Sequence, residues 1–148
     1  MASRGGARNR SGPVADPDSF RSEQRGYTLQ TLPAEGYSGP VPVFPLPDAS
    51  EREIAVWEWA WSTPQAAAWA LPSEVWRHRT VALWVRVSVR AEEPEVSASV
   101  LAQVHRFADQ IGMTTAGLAE MGWRVAVDET AEAREEKSAA ASAGSSRD

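Results

Sequence analysis

The sequence predicts an all-α protein. Short helices gather around a tryptophan-rich cluster, a C-terminal antiparallel helical hairpin follows, a proline-rich extended strap precedes them, and both ends form disordered tails. Three observations predict it. Four of the seven tryptophans fall between Trp57 and Trp69, and each indole can bury about 150–250 Å² in a core or an interface. Val96, Val100, Val104, Phe107 and Ile111 recur every three or four residues, the stripe of an amphipathic helix. The alternation of apolar and polar residues that marks a strand occurs in Val85-Arg86-Val87-Ser88-Val89-Arg90, with no second strand elsewhere to pair with it.

At 148 residues the chain suits one domain. Residues 1–26, rich in Arg, Gly and Ser, and the Ala, Ser and Glu tail of 128–148 cannot bury enough apolar surface to offset the entropy of ordering, so the helical domain is expected over 50–127. Cysteine is absent, which removes disulfides and thiolate metal sites and suits an intracellular protein. No apolar run reaches the roughly 18 residues of a membrane span and no apolar signal segment opens the chain, so the expectation is a soluble, cytoplasmic protein without membrane contact.

Net charge is −5, which argues against indiscriminate binding of polyanions by the whole surface. The charge is nevertheless polarised: Arg4, Arg8, Arg10, Arg21 and Arg25 lead, whereas Asp128, Glu129, Glu132, Glu135 and Glu136 trail. An Arg-rich arm can neutralise phosphates and release counterions, giving salt-dependent binding to DNA without reading its sequence. The other reading of the same arm is a solubilising leader. With fourteen Arg against one Lys, Lys137, the choice of Arg itself reflects coding bias and carries no argument for bidentate phosphate recognition.

From residue 27 to 49 five prolines and two glycines suppress any periodicity. Pro40-Val41-Pro42-Val43-Phe44-Pro45-Leu46-Pro47 is expected to be a polyproline-like strap, too apolar for a free linker and suited to lie across a groove on the same subunit or a neighbour. A proline-rich ligand for an aromatic-lined partner is the alternative. Ser50 with Glu53 is a capping box and starts a helix that carries Ile54, Trp57 and Trp61 on one face and Trp59 on another. Thr63 and Pro64 start a second, short helix to about Ala70, slimmed by Ala66, Ala67 and Ala68 so that Trp57, Trp61 and Trp69 close over the pair. This cluster reads first as packing and second as a base-stacking platform; Trp59 is left for a neighbour or the strap.

One helix is expected from about Ser73 to Glu92, with Trp76, Val81, Trp84, Val85, Ser88 and Val89 along a stripe. Arg77, His78 and Arg79 form a second basic cluster, either a solvated helix face or a phosphate contact. A helix opens at Pro94 and ends at Gly112 as a left-handed C-cap. Another starts at Thr114 or Thr115, with Leu118, Met121 and Val125 inward and Trp123 beside them. Such a pair could be a helix-turn-helix, but before Asp128 the second helix offers only Arg124 to DNA, which favours a hairpin used for packing. No nucleophile with a base, carboxylate pair or metal-ligand cluster is present. The reading is a non-enzyme without cofactor or metal.

The run Ile111-Gly112-Met113-Thr114-Thr115-Ala116-Gly117-Leu118-Ala119-Glu120-Met121-Gly122-Trp123-Arg124-Val125, beside Trp61-Ser62-Thr63-Pro64-Gln65-Ala66, resembles the small terminase subunit of tailed bacteriophages. A basic leader, the Leu32-Pro33-Ala34-Glu35-Gly36 and Gly39-Pro40 strap, a Trp-x-x-x-Trp helix and a Val-rich helix ending Arg90-Ala91-Glu92 come in that family's order, so the resemblance spans about Leu32 to Asp128. It implies a non-catalytic DNA-packaging factor that forms a homo-oligomeric ring, binds double-stranded viral DNA and regulates the large terminase subunit in the host cytoplasm. The residues then expected at DNA are Arg4, Arg8, Arg10, Arg21, Arg25, Arg77, His78 and Arg79, and those expected in packing or oligomer contacts are Trp57, Trp59, Trp61 and Trp69. A protein-binding adaptor without DNA contact and a small helical transcriptional regulator are the competing readings.

Overall fold

The computed structural model describes residues 29–127, 134, 135 and 137–141. Strand β1 (Gln30–Leu32) leads into the strap, followed by α1 (Glu51–Ala60), α2 (Pro64–Trp69), a 3-10 helix (Pro72–Arg77), α3 (His78–Ala91), α4 (Ala98–Gln110), α5 (Thr115–Glu120) and strand β2 (Trp123–Val125). Arg134, Glu135 and residues 137–141 are helical and exposed. The protein is mostly helical, as expected.

Local chemistry accounts for most of the boundaries. The Ser50 hydroxyl accepts from the Glu53 amide at 3.1 Å and the Glu53 carboxylate accepts from the Ser50 amide at 2.9 Å, a complete capping box that satisfies two otherwise orphaned donors. Pro64 occupies the first turn of α2 after an extended Thr63, whose hydroxyl donates backwards to the Ala60 carbonyl at 2.7 Å and so ties α2 to the end of α1. Thr114 caps α5 through the Gly117 amide at 2.9 Å. Gly112, at φ 77°, turns the chain out of α4. A side chain at that position would meet Trp123 Cζ3 at 2.6 Å in addition to the unfavourable backbone, so two constraints select glycine.

Three expectations need correction. The helix over 73–92 is divided: Pro72–Arg77 winds as a 3-10 turn and the α-helix starts at His78, because Pro72 fixes the first turn close against α2 and Arg77 is drawn inward by its polar contacts. The helix after Pro94 starts at Ala98, where the Ser97 hydroxyl caps the Val100 amide; residues 92–95 form a bend, and Glu95 and Val96 lie ahead of the first turn. The final helix stops at Glu120. Gly122, at φ 70°, redirects the chain into β2, so Trp123 is buried and Val125 points outward on a strand. That strand pairs in parallel with β1 in the register Gln30↔Trp123, Thr31↔Arg124 and Leu32↔Val125. The fold thus holds one small sheet of two three-residue segments, too short for sequence periodicity to reveal, while the alternating segment 85–90 has no strand partner and is helical as expected.

The core is aromatic. Trp57, Trp61 and Trp69 are all but inaccessible and stack edge to face, with ring centroids 5.6 Å apart for Trp57–Trp61 and 5.8 Å for Trp61–Trp69. Ala60, Ala66 and Ala68 are buried as well; α1 packs on α3, and α2 on β1 and the 3-10 turn. Val81, Trp84 and Val85 of α3 and Ala108 and Ile111 from the end of α4 complete the core, together with Leu32, Phe44, Leu46 and Trp123.

The strap belongs to this core. Phe44 and Leu46 are buried, the Phe44 ring meets Trp57 edge to face at 5.3 Å, and the Trp57 indole donates to the Pro42 carbonyl at 2.7 Å. Val43 faces the other way and is 91% exposed. The strap thus lies on its own subunit, in the Trp57 groove.

Candidate functional site

Three regions bear on function: the basic cluster at the start of α3, the joint where the motif segments meet, and the groove beside Trp59. The N-terminal arginines Arg4, Arg8, Arg10, Arg21 and Arg25 lie outside the described residues.

The basic cluster does not stand as one patch. Arg77 is buried. Its Nε donates to Glu74 at 2.7 Å and its terminal nitrogen to the Gln110 carbonyl at 2.5 Å, while the guanidinium lies 4.5 Å from the Trp76 ring and 5.5 Å from that of Trp123. Arg77 therefore clamps the 3-10 turn to the end of α4 and to β2, with cation–π contact to Trp76 and Trp123 replacing part of its lost hydration. His78 is half-buried; its Nε2 lies 2.6 Å from the Trp69 carbonyl and its ring meets Trp61 edge to face at 4.9 Å. Arg79 is exposed. Of the three, Arg79 retains a cation at the surface. The expected helical face assumed an unbroken α-helix here, and the 3-10 turn rotates Arg77 inward.

The joint brings together segments far apart in sequence. The Tyr37 amide donates to the Thr63 carbonyl at 3.2 Å, and Gly36, at φ 87°, packs against the Ser62 carbonyl with no room for a Cβ. The Gln65 amide group donates to the Gly112 carbonyl at 3.2 Å, and the Trp69 indole donates to the Ile111 carbonyl at 2.9 Å. Gly117 of α5 lies flush on the Asp109 backbone, and the Thr114 hydroxyl donates to the Asp109 carboxylate at 2.5 Å. Leu-Pro-Ala-Glu-Gly, Thr-Pro-Gln-Ala and the Ile-Gly-Met-Thr run thus meet at backbone carbonyls that each needs to satisfy. An open hollow of about 520 Å³ beside the joint is lined by Gln65, Met113, Leu118, Trp123 and Arg124, among others.

Trp59 is 55% exposed, apart from the other three tryptophans of its stretch, and lies beside Trp84 of α3 at 6.2 Å between centroids. Together with Val56, Ala55 and Ser88 these rings line a groove of about 470 Å³, rimmed by an Arg52–Glu92 ion pair at 2.8 Å. The Trp61 and Trp84 indole nitrogens and the Ser88 hydroxyl are buried without a hydrogen-bond partner among the described residues. On the strap side of α3, Arg86 bridges Glu53 at 2.6 Å and the Pro47 carbonyl at 2.7 Å. The Arg86 guanidinium, by hydrogen bond above all, holds the Glu53 carboxyl below its ordinary range, and Glu53 in turn raises Arg86. Arg52 likewise lowers Glu92. Sequence reading recognised Glu53 as a cap and missed its second role as the anchor of Arg86, since nothing local links residues 33 positions apart.

Among the described residues no group of three or more His, Cys, Asp or Glu is placed to hold a metal. None of their helices is long and apolar enough to cross a membrane. No family model, curated protein or solved structure matches the chain.

Proposed function

We propose that this protein is a phage terminase small subunit: a non-catalytic, ring-forming factor that binds double-stranded viral DNA and regulates the large terminase subunit during genome packaging in the host cytoplasm. The observation that carries the reading is the joint. Three of the segments on which the resemblance rests, Leu-Pro-Ala-Glu-Gly, Thr-Pro-Gln-Ala and the Ile-Gly-Met-Thr run, adjoin one another through hydrogen bonds and close glycine contacts.

DNA is held by the N-terminal arm, through Arg4, Arg8, Arg10, Arg21 and Arg25, with Arg79 as the contribution of the helical body. One arm with five arginines binds weakly; several copies on one rim bind by avidity. Arg77 and His78 serve this surface from beneath, by fixing the turn that presents Arg79. The transcriptional-regulator reading is weaker, because α5, with sequence Thr-Ala-Gly-Leu-Ala-Glu, has no basic residue to set in a major groove. The exposed groove beside Trp59 favours a second reading, a protein-binding adaptor without DNA contact.

Electrophoretic shift of phage DNA by the full chain and by a chain lacking residues 1–26 separates the two. The packaging reading expects a salt-sensitive shift by the full chain and a weaker, flatter one after the deletion. No shift at low salt by the full chain would leave the adaptor.

A further inference from the structure

The strap is fastened by side chains alone. Between Tyr37, whose amide donates to the Thr63 carbonyl, and Ser50, which caps α1, no main-chain hydrogen bond joins residues 38–49 to another described residue. A row of side-chain donors holds them instead: the Tyr37 hydroxyl to the Pro40 carbonyl at 3.4 Å, the Trp57 indole to the Pro42 carbonyl at 2.7 Å, and the Arg86 guanidinium to the Pro47 carbonyl at 2.7 Å. All three acceptors are prolyl carbonyls. Between the last two, Phe44 meets Trp57 edge to face, with its ring centre 5.7 Å from the Arg86 guanidinium carbon, and Leu46 is buried. The donors are set in place without the strap, since Glu53 grips Arg86 at 2.6 and 3.2 Å and Trp61 packs on Trp57.

We infer that the Trp57–Arg86 groove is a recognition site for proline-rich segments and that the strap is its ligand in cis, exchangeable for a proline-rich segment of a partner protein. The inference is independent of the packaging reading. The seated strap fixes the chemistry of the partner segment: prolines alternating with apolar residues around a phenylalanine, as in Pro-Val-Pro-Val-Phe-Pro-Leu-Pro. Prolines have no amide proton for a ladder, so such segments are read through their carbonyls by donor side chains and through their apolar faces by aromatic rings, which is the arrangement of Trp57 and Arg86. The strap is also built to leave as a unit. Its ends are pinned outside it, at Tyr37 and Ser50, so the helices keep their own hydrogen bonds when it goes. Asp48, beside the α1 cap, has a left-handed backbone at φ 55°, a conformation unfavourable to a residue with a side chain and relaxed on release.

The probe is a synthetic peptide with the sequence of residues 39–47, and the receptor is the full chain carrying F44A and L46A, which removes the strap's two buried side chains and keeps the Trp57 and Arg86 donors. With helix content unchanged by circular dichroism, the peptide should move the Trp57 indole proton resonance saturably. It should bind this variant at least about tenfold tighter than the parent, whose own strap competes at an effective concentration in the millimolar range. A peptide with its prolines replaced by alanine, no longer preorganised, should bind about tenfold more weakly. L46A alone is the receptor if the double variant does not fold. No binding to a folded receptor, or equal binding by the alanine peptide, overturns the inference. Loss of the helices in both variants overturns it as well, because the strap is then inseparable from the core. A peptide that splits the parent into smaller species makes a second copy the occupant and overturns the external partner.

Discussion

The Trp69 indole nitrogen lies 2.9 Å from the carbonyl of Ile111, 42 residues further along the chain, and this bond fastens the second short helix to the end of α4. Both residues are fully buried. W69F should therefore cost about 1–3 kcal/mol, because it leaves the Ile111 carbonyl dry and without a donor. Thermal or urea unfolding of the variant checks it, and a cost near zero would mean that the bond is dispensable.

The close glycines give a sharper test of the joint. G36A places a Cβ on the Ser62 carbonyl at a residue whose φ is +87°, so steric and backbone penalties add. The variant should lose several kcal/mol or fail to fold. G39A offers the control: the position is exposed and the neighbour in its way is the Tyr37 side chain, which can swing outward, so stability should change little.

Arg77 and Arg79 should separate folding from binding. R77A removes a buried cation that holds Glu74, the Gln110 carbonyl and two indole rings, and should cost more than about 2 kcal/mol of stability. R79A should shift stability by less than about 0.5 kcal/mol, while lowering DNA affinity and reducing the salt slope by about one unit. Equal loss of stability in both variants would contradict the assignment.

The Glu53–Arg86 bridge sets a pH dependence. Since the Glu53 carboxyl is held below its ordinary range by Arg86, its contribution is complete above the unfolded value of about 4.3 and disappears as the pH falls through the lower folded value. The melting temperature of E53Q should thus lie below that of the parent at pH 7, and the gap should narrow below about pH 4. A gap independent of pH would remove the bridge from the account.

How much was legible in the sequence follows from distance along the chain. The capping box at Ser50, the Thr63-Pro64 start and the Gly112 stop depend on neighbours within a few residues, and each stands where the sequence puts it. Trp59 standing apart from its three companions followed from helical spacing alone. The parallel β1–β2 pair did not, because each strand is three residues long and its partner is 93 positions away. Arg77 was misjudged for a related reason: Pro72 winds the preceding turn more tightly, and the residues that draw Arg77 inward, Gln110 and Trp123, come from elsewhere in the chain. The reverse holds for function. The arm and the family resemblance are features of sequence, while the fold contributes Arg79 and the Trp59 groove.

The mass of the full chain in solution, measured by light scattering over a range of concentrations, tests the central claim most directly. A packaging ring predicts one discrete assembly of several subunits that persists on dilution and shifts to a DNA complex at low salt. A monomer, or a dimer that goes no further, would contradict it.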